Sequence, residues 1–173
     1  TNRPIGVGRK EVTKKMTFSV GILTISDKGA AGDRQDESGI LLCKRVEALP
    51  GKVVCYEIVP DEKERISEQL RLWCDQKQVN LILTTGGTGP SPRDVTPEAT
   101  QDVIERPFPG LAEALRFYNF AKNPRTILSR GVAGIRGKTL IINLPGSPKG
   151  VAEGVYILLP VLPHALEKIA GDP

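Results

Sequence analysis

The residues with the most chemistry to offer lie in one stretch, TTGGTGPSPRD, residues 84–94. Gly86, Gly87 and Gly89 let the backbone approach a ligand closely and turn successive N–H groups toward a phosphate. Thr85, Thr88 and Ser91 add hydroxyl donors, and Arg93 adds a planar fork matched to phosphate oxygens. A tight turn under close packing would use the same glycines. Eleven residues is nevertheless long for a strand-to-helix connection of about 2–6 residues, which favours a functional loop. Two standard nucleotide loops are excluded. The G-x-G-x-x-G pattern starting at Gly87 meets Pro92 where its last glycine should stand. Gly137-Lys138-Thr139 has Val132 at the first glycine position of a Walker loop and precedes a strand-like run instead of a helix.

Carboxylates and hydroxyls recur at matching places. Ser26-Asp27, Asp61 and the segment from Asn143 through Pro145, Gly146 and Ser147 each follow an apolar run, as the glycine loop does. If those runs are parallel strands, these groups converge on one sheet edge, where open α/β sheets bind ligands. Mg²⁺ held with phosphates takes one or two carboxylates, and Asp61 and Asp94 could supply them. Each has a simpler alternative, Asp61 as a helix N-cap and Asp94 as an Asx-turn residue. Gly146 permits close approach, and the helix expected after Ser147 offers free N–H groups to an anion. Ser129-Arg130 could add a hydroxyl and a cation, or be ordinary surface.

The elements that position these groups alternate in type. Residues 19–26 (SVGILTIS), 53–59, 79–85 and 139–144 read as strands. Residues 37–48, a stretch starting at Asp61 with Glu64 three residues on, residues 97–106 and residues 110–120 read as helices. Thr96-Pro97 reads as N-cap and first helical residue, and Ser147-Pro148 caps a last helix that Pro160 and Pro163 interrupt. Buried strands that do not alternate polar and apolar imply a mainly parallel sheet. The expectation is therefore α/β, a single domain with a mostly parallel sheet and helices on both faces.

The chain has 173 residues, 39% hydrophobic and 25% charged, as an ordinary globular domain would. No apolar stretch nears the roughly 18 residues of a spanning helix, and the polar N-terminus lacks a leader's apolar region, so no membrane association is expected. Residues 1–16 carry five basic residues against Glu11 alone, while residues 17–173 hold 19 basic and 19 acidic residues. The sequence thus divides into a basic N-terminal arm, 1–16, and a charge-balanced domain, 17–173. Because the excess charge sits in the arm, nucleic acid is not an expected partner. Cys43, Cys55 and Cys74 have no paired spacing, and with His164 as the one histidine a structural zinc site and a Ser-His-Asp triad are both disfavoured. Free cysteines suit a reducing cytoplasm. Cys55, in an alternating apolar run, is expected to be buried.

TTGGTGPSPRDVTPEAT (84–100), VPDE (59–62), LTISD (23–27), ILSR (127–130) and GKTLIINLPGSPKGV (137–151) closely resemble the molybdopterin adenylyltransferases. These include the bacterial MogA type, the G domain of gephyrin and the plant G domain. The resemblance spans residues 18–171 and implies a MogA/MoaB-like fold, usually a homotrimer. It also implies Mg²⁺-dependent transfer of AMP from ATP to the terminal phosphate of molybdopterin, with release of pyrophosphate. The family's two essential aspartates fall on Asp61 and Asp94, as catalytic and metal-binding groups. Thr85, Gly86, Gly87, Thr88, Gly89 and Arg93 form the phosphate loop. Pterin-side positions fall on Ser26, Ser129 and Asn143, with Asp27, Arg130, Pro145, Gly146 and Ser147 beside them. Asn119 stands where the family often has serine. MoaB-type relatives usually lack the full RDVTP pattern, so its presence favours the adenylyltransferase branch. A separate molybdate-inserting protein is also implied. The alternative within the fold is a non-catalytic pterin-binding or scaffolding module.

Overall fold

Residues 17–171 are described by the structure, a computed structural model; the arm, residues 1–16, lies outside them. The strands are β1 (Phe18–Ile25), β2 (Gly51–Val59), β3 (Leu81–Thr85), β4 (Arg106–Pro107), β5 (Ala133–Arg136) and β6 (Thr139–Leu144). They form one sheet in the order β2-β1-β3-β6-β5-β4. The first four in that order are mutually parallel, and β5 pairs antiparallel with both β6 and β4. The helices are α1 (Asp27–Ala30), α2 (Glu37–Val46), α3 (Lys63–Arg71), α4 (Thr96–Gln101), α5 (Pro109–Phe117), α6 (Pro148–Leu158) and α7 (Leu162–Ala170). A π-helical turn, Leu72–Gln76, extends α3, and a 3₁₀ turn spans Pro124–Leu128.

The central strands are apolar along their whole length because both faces are covered. Val20, Ile22, Leu81, Leu83, Leu140 and Ile142 pack against Leu42 of α2, Val151 and Val155 of α6, and Leu162 and Leu166 of α7. Leu23, Ile25, Ile82 and Ile141 point the other way, onto Ile66 and Leu70 of α3, Trp73, and Ala99 of α4. The indole of Trp73 lies over Gly21, where a Cβ would stand 2.7 Å from its ring. This is a single α/β domain with helices on both faces, as the patterning requires.

Several local expectations change. Cys55 is half-buried, because β2 is an edge strand with one flank open. Asp61 does not cap α3. The N-cap is Glu62, which makes no side-chain capping bond, and the Asp61 carboxylate turns instead to the backbone of Asp27. Thr96 is the first residue of α4 rather than its cap. That helix stops at Gln101, and residues 106–107 join the antiparallel edge as β4. The Gly137-Lys138 pair is the tight connection between β5 and β6, which accounts for its lack of a following helix. Ser147 does cap α6, accepting the Gly150 N–H at 3.0 Å. Pro160 and Pro163 separate α6 from α7, since a proline ring blocks the carbonyl four residues back.

Candidate functional site

Four parallel strands end side by side, and the segments that follow β1, β2, β3 and β6 carry the candidate residues read from the sequence. These segments are tied to one another by hydrogen bonds. Gly86 N–H donates to Leu144 O at 3.2 Å, and Thr85 Oγ1 donates to Pro145 O at 2.7 Å. Ser38 Oγ, from the first turn of α2, donates to Gly146 O at 2.7 Å. The Thr96 hydroxyl donates to Gly86 O at 2.9 Å, and its N–H donates to Gly87 O at 3.1 Å. Thr96 therefore holds the glycine loop from behind.

Gly86 and Gly87 have φ of +101° and +66°, a region that side chains rarely adopt. A Cβ on Gly86 would lie 2.3 Å from Ile25 O, and one on Gly87 would lie 2.2 Å from Thr96 Oγ1. Glycine is required twice over here, by backbone conformation and by space. Gly146 packs on the same turn, its Cβ position 3.2 Å from Gly86 Cα.

The two arginines foreseen at the site serve the loops. Arg93 places its fork on Asp27, with Nη2 2.7 Å from Oδ1 and Nε 3.1 Å from Oδ2. That bond, helped by the Asp61 N–H, holds the Asp27 carboxyl below its ordinary pKa. Arg130 donates from Nε to Gly89 O at 2.9 Å, from Nη2 to Asp94 O at 2.7 Å, and from Nη1 to the Glu98 carboxylate. It clamps both ends of the segment from Gly89 to Asp94. The Asp94 carboxylate itself accepts the Ser91 N–H at 3.1 Å, so the Asx-type turn is present as well.

Asp61 is different. Burial pushes its carboxyl pKa up, and repulsion from Asp27 and Asp94 pushes the same way against the bond it accepts from the Asp27 N–H. Two carboxylates, Asp61 and Asp94, thus share one polar hollow, and the charge of Asp94 adds to the cost of ionising Asp61. Among the described residues no group of three or more His, Cys, Asp or Glu side chains is gathered for a metal. Hard oxygen donors from two carboxylates fit a cation that completes its shell with ligand oxygens and water.

Two cavities meet at this edge. The first, about 480 Å³, lies over the ends of β3 and β6, with Leu115, Leu128 and Ile157 among its apolar lining and Arg116, Arg125 and Lys149 among its cations. The second, about 680 Å³, opens beside the ends of β1 and β2 and is lined by Ser26, Asp36, Asp61 and Thr85. Gly87, Asp94, Gly146 and Ser147 line both and form the shared wall.

This geometry divides the residues that the sequence grouped together. Ser129, Asn143 and Pro145 line the first cavity, whereas Ser26 lines the second. Thr88 and Gly89 line the first cavity and Gly86 the second. Asn143 is buried with its amide engaged inside the fold. It donates to Thr84 and Thr100 hydroxyls at 3.0 Å each and accepts the Val132 N–H at 3.1 Å. Asn119, the departure from the family serine, does line the first cavity. Sequence reasoning missed Asp36, whose carboxylate caps α2 through the Gly39 N–H at 2.9 Å and accepts from Thr24 at 2.7 Å and from Tyr56. It also missed Arg34 and Ser38. An Asp one residue before an amphipathic run was a legible N-cap signal, but nothing linear placed that cap beside Asp61.

Comparison with known proteins agrees with this architecture. The family model described as "Probable molybdopterin binding domain" matches residues 21–164. A protein of Helicobacter pylori named molybdopterin adenylyltransferase is 40% identical over 162 residues, covering 90% of each chain. The Drosophila melanogaster protein named molybdenum cofactor synthesis protein cinnamon is 43% identical over 157 residues, 90% of this chain and 26% of that much longer one. The crystal structure titled molybdopterin biosynthesis enzyme MoaB, from Thermus thermophilus, superposes with a TM-score of 0.86 at 54% identity, covering 90% of this chain and 98% of its own. With a family match over most of its length, 40% identity to a curated relative and a shared fold, the chain belongs to the molybdopterin-binding domain family that includes the molybdopterin adenylyltransferases and the MogA and MoaB proteins.

Proposed function

We propose that this chain is a molybdopterin adenylyltransferase of molybdenum cofactor biosynthesis, moving AMP from ATP to the terminal phosphate of molybdopterin and releasing pyrophosphate. The observation that carries the reading is the pair of adjoining cavities with a common wall at Gly87, Asp94, Gly146 and Ser147. A transfer between two anionic substrates needs two compartments that meet where the bond is exchanged. The first cavity, with apolar walls and three cations, suits a fused heterocycle bearing a phosphate. The second, with Asp61 and Asp94, suits the triphosphate and its cation.

No protein nucleophile is needed, because the pterin's phosphate oxygen attacks the α-phosphorus. The chain's part is to align two anions and limit their repulsion. Gly87 to Gly89 would bring backbone N–H groups to the phosphates across the wall. Ser129, Pro145 and Ser147 would border the pterin, and Asn143 would hold the floor beneath it through its bonds to Thr84, Thr100 and Val132. Arg93 would act through Asp27, and Arg130 through the loop that carries Asp94. Mg²⁺, held by Asp61 and Asp94, would neutralise phosphate charge. Asp61 is consistent with this assignment, since burial first and then the Asp27 and Asp94 carboxylates raise its pKa, a cost that a bound cation would offset.

We further propose a homotrimer with each site within one subunit, a cytoplasmic location, and hand-over of product to a separate molybdate-inserting protein. The division into an arm, 1–16, and a catalytic domain, 17–173, belongs to the same reading. Pyrophosphate release on mixing protein, MgATP and molybdopterin is the direct test. Molybdopterin binding with no pyrophosphate would instead establish the non-catalytic pterin-binding or scaffolding module.

A further inference from the structure

The proposed chemistry builds charge on the leaving group that a side chain beside Mg²⁺ would help to neutralise. As the pterin's phosphate oxygen bonds to the α-phosphorus, the bond from that phosphorus to the α–β bridging oxygen breaks. The electron pair stays on that oxygen, and the departing pyrophosphate carries it away. No proton need move, so the developing charge must be met by a cation on the leaving-group side. Arg93 and Arg130, which the sequence suggested for such work, are held elsewhere, on Asp27 and on Gly89, Asp94 and Glu98.

The second cavity contains four carboxylates, Asp36, Glu37, Asp61 and Asp94, and its lining has one cation, Arg34. Arg34 is exposed on the loop between α1 and α2. Among the described residues it has no hydrogen-bond or ion-pair partner, although it shares the cavity lining with these carboxylates. Three of the four carboxylates are engaged within the fold, Asp94 with the Ser91 N–H. Asp36 accepts from Thr24, Tyr56 and the Gly39 N–H, and Asp61 accepts from Asp27. Its loop is anchored close by, since Asp36 caps α2 and Ser38 bonds Gly146 on the shared wall.

We propose that Arg34 is the residue that binds the β- and γ-phosphates of ATP and takes up the charge of the leaving pyrophosphate. This rests on the adenylyltransferase reading above. A guanidinium fork is suited to two phosphate oxygens at once, which lysine cannot match.

Titration calorimetry on the whole chain with MgATP, AMP and inorganic pyrophosphate tests the assignment apart from turnover. Arg34→Ala should weaken MgATP and pyrophosphate about tenfold or more, the size of a lost charge-assisted bond, and leave AMP and molybdopterin affinities within twofold. Its kcat should fall while the KM for molybdopterin holds. Arg34→Lys should recover only part of the MgATP affinity. Equal losses for AMP and MgATP, or unchanged MgATP and pyrophosphate binding in Arg34→Ala, would overturn the assignment. A wild-type chain that binds MgATP through Arg34 but releases no pyrophosphate would sink the adenylyltransferase reading and leave Arg34 as a phosphate ligand.

Discussion

Asp27 and Asp61 each accept the other's backbone N–H, Asp27 Oδ1 from Asp61 at 3.0 Å and Asp61 Oδ2 from Asp27 at 2.9 Å. This reciprocal pair ties the end of β1 to the end of β2. It aims Asp61 toward the glycine loop, with Oδ1 3.3 Å from the Cβ position on Gly87. Arg93 closes the arrangement from outside by binding Asp27 with two donors.

Asp94→Asn should keep the fold and molybdopterin binding, because an amide oxygen can still accept the Ser91 N–H. Its adenylyl transfer should fall on the order of 100-fold or more, the scale of one lost preorganised electrostatic group. Asp61→Asn should lose activity similarly, yet be as stable as the parent or more so, because its charge is disfavoured by burial and by Asp27 and Asp94. Pyrophosphate release and urea melts measure the two effects. Near-parental turnover at saturating Mg²⁺ in either variant would refute its role.

Arg130 acts on the loop and not on solvent charge. Its pair with Glu98 is more than a third exposed on both sides and contributes at most about 1 kcal/mol. Arg130→Ala should therefore shift the melting point little while cutting kcat about tenfold, as the carbonyls of Gly89 and Asp94 lose their clamp. Arg130→Lys should not restore it, since an ammonium cannot span three acceptors in a plane. A large stability loss with unchanged kcat would contradict this role.

Gly86→Ala combines a positive φ with a Cβ 2.3 Å from Ile25 O. The left-handed backbone alone costs roughly 1–2 kcal/mol, and the backbone contact adds to it. Denaturant melts should show a loss of about 2 kcal/mol or more. A neutral result would mean that the loop can adopt another turn.

Asn143→Ala should destabilise by about 1–3 kcal/mol, because the half-buried Val132 N–H loses its acceptor and the buried Thr84 and Thr100 hydroxyls lose their donor. Its effect on molybdopterin binding should follow this loss of the cavity floor. Parental stability together with abolished molybdopterin binding would make Asn143 a direct ligand instead.

The elements were legible in the linear sequence because burial on two faces imposes continuous apolar runs, which mark β1, β3 and β6 plainly. Prolines and caps such as Ser147 marked helix starts for the same local reason. The antiparallel pair β4 and β5 left no such mark. Two residues around Pro107 and the small AGIR segment have little strand signal, and their pairing depends on a partner distant in the chain. The glycine loop, Asp61 and Asp94 could be named as candidates because special backbone geometry and strand ends leave residue-type signatures. Their allegiances could not. Whether Asp61 caps α3 or reaches Asp27, and whether Arg93 and Arg130 meet phosphate or protein, depends on contacts between residues 32 to 66 positions apart. Such contacts are energetically decisive but unwritten in local pattern. Chain order thus determined which residues stand at strand ends, and tertiary packing decided which side chains hold the loops and which, like Arg34, stand at the cavity without a partner among the described residues.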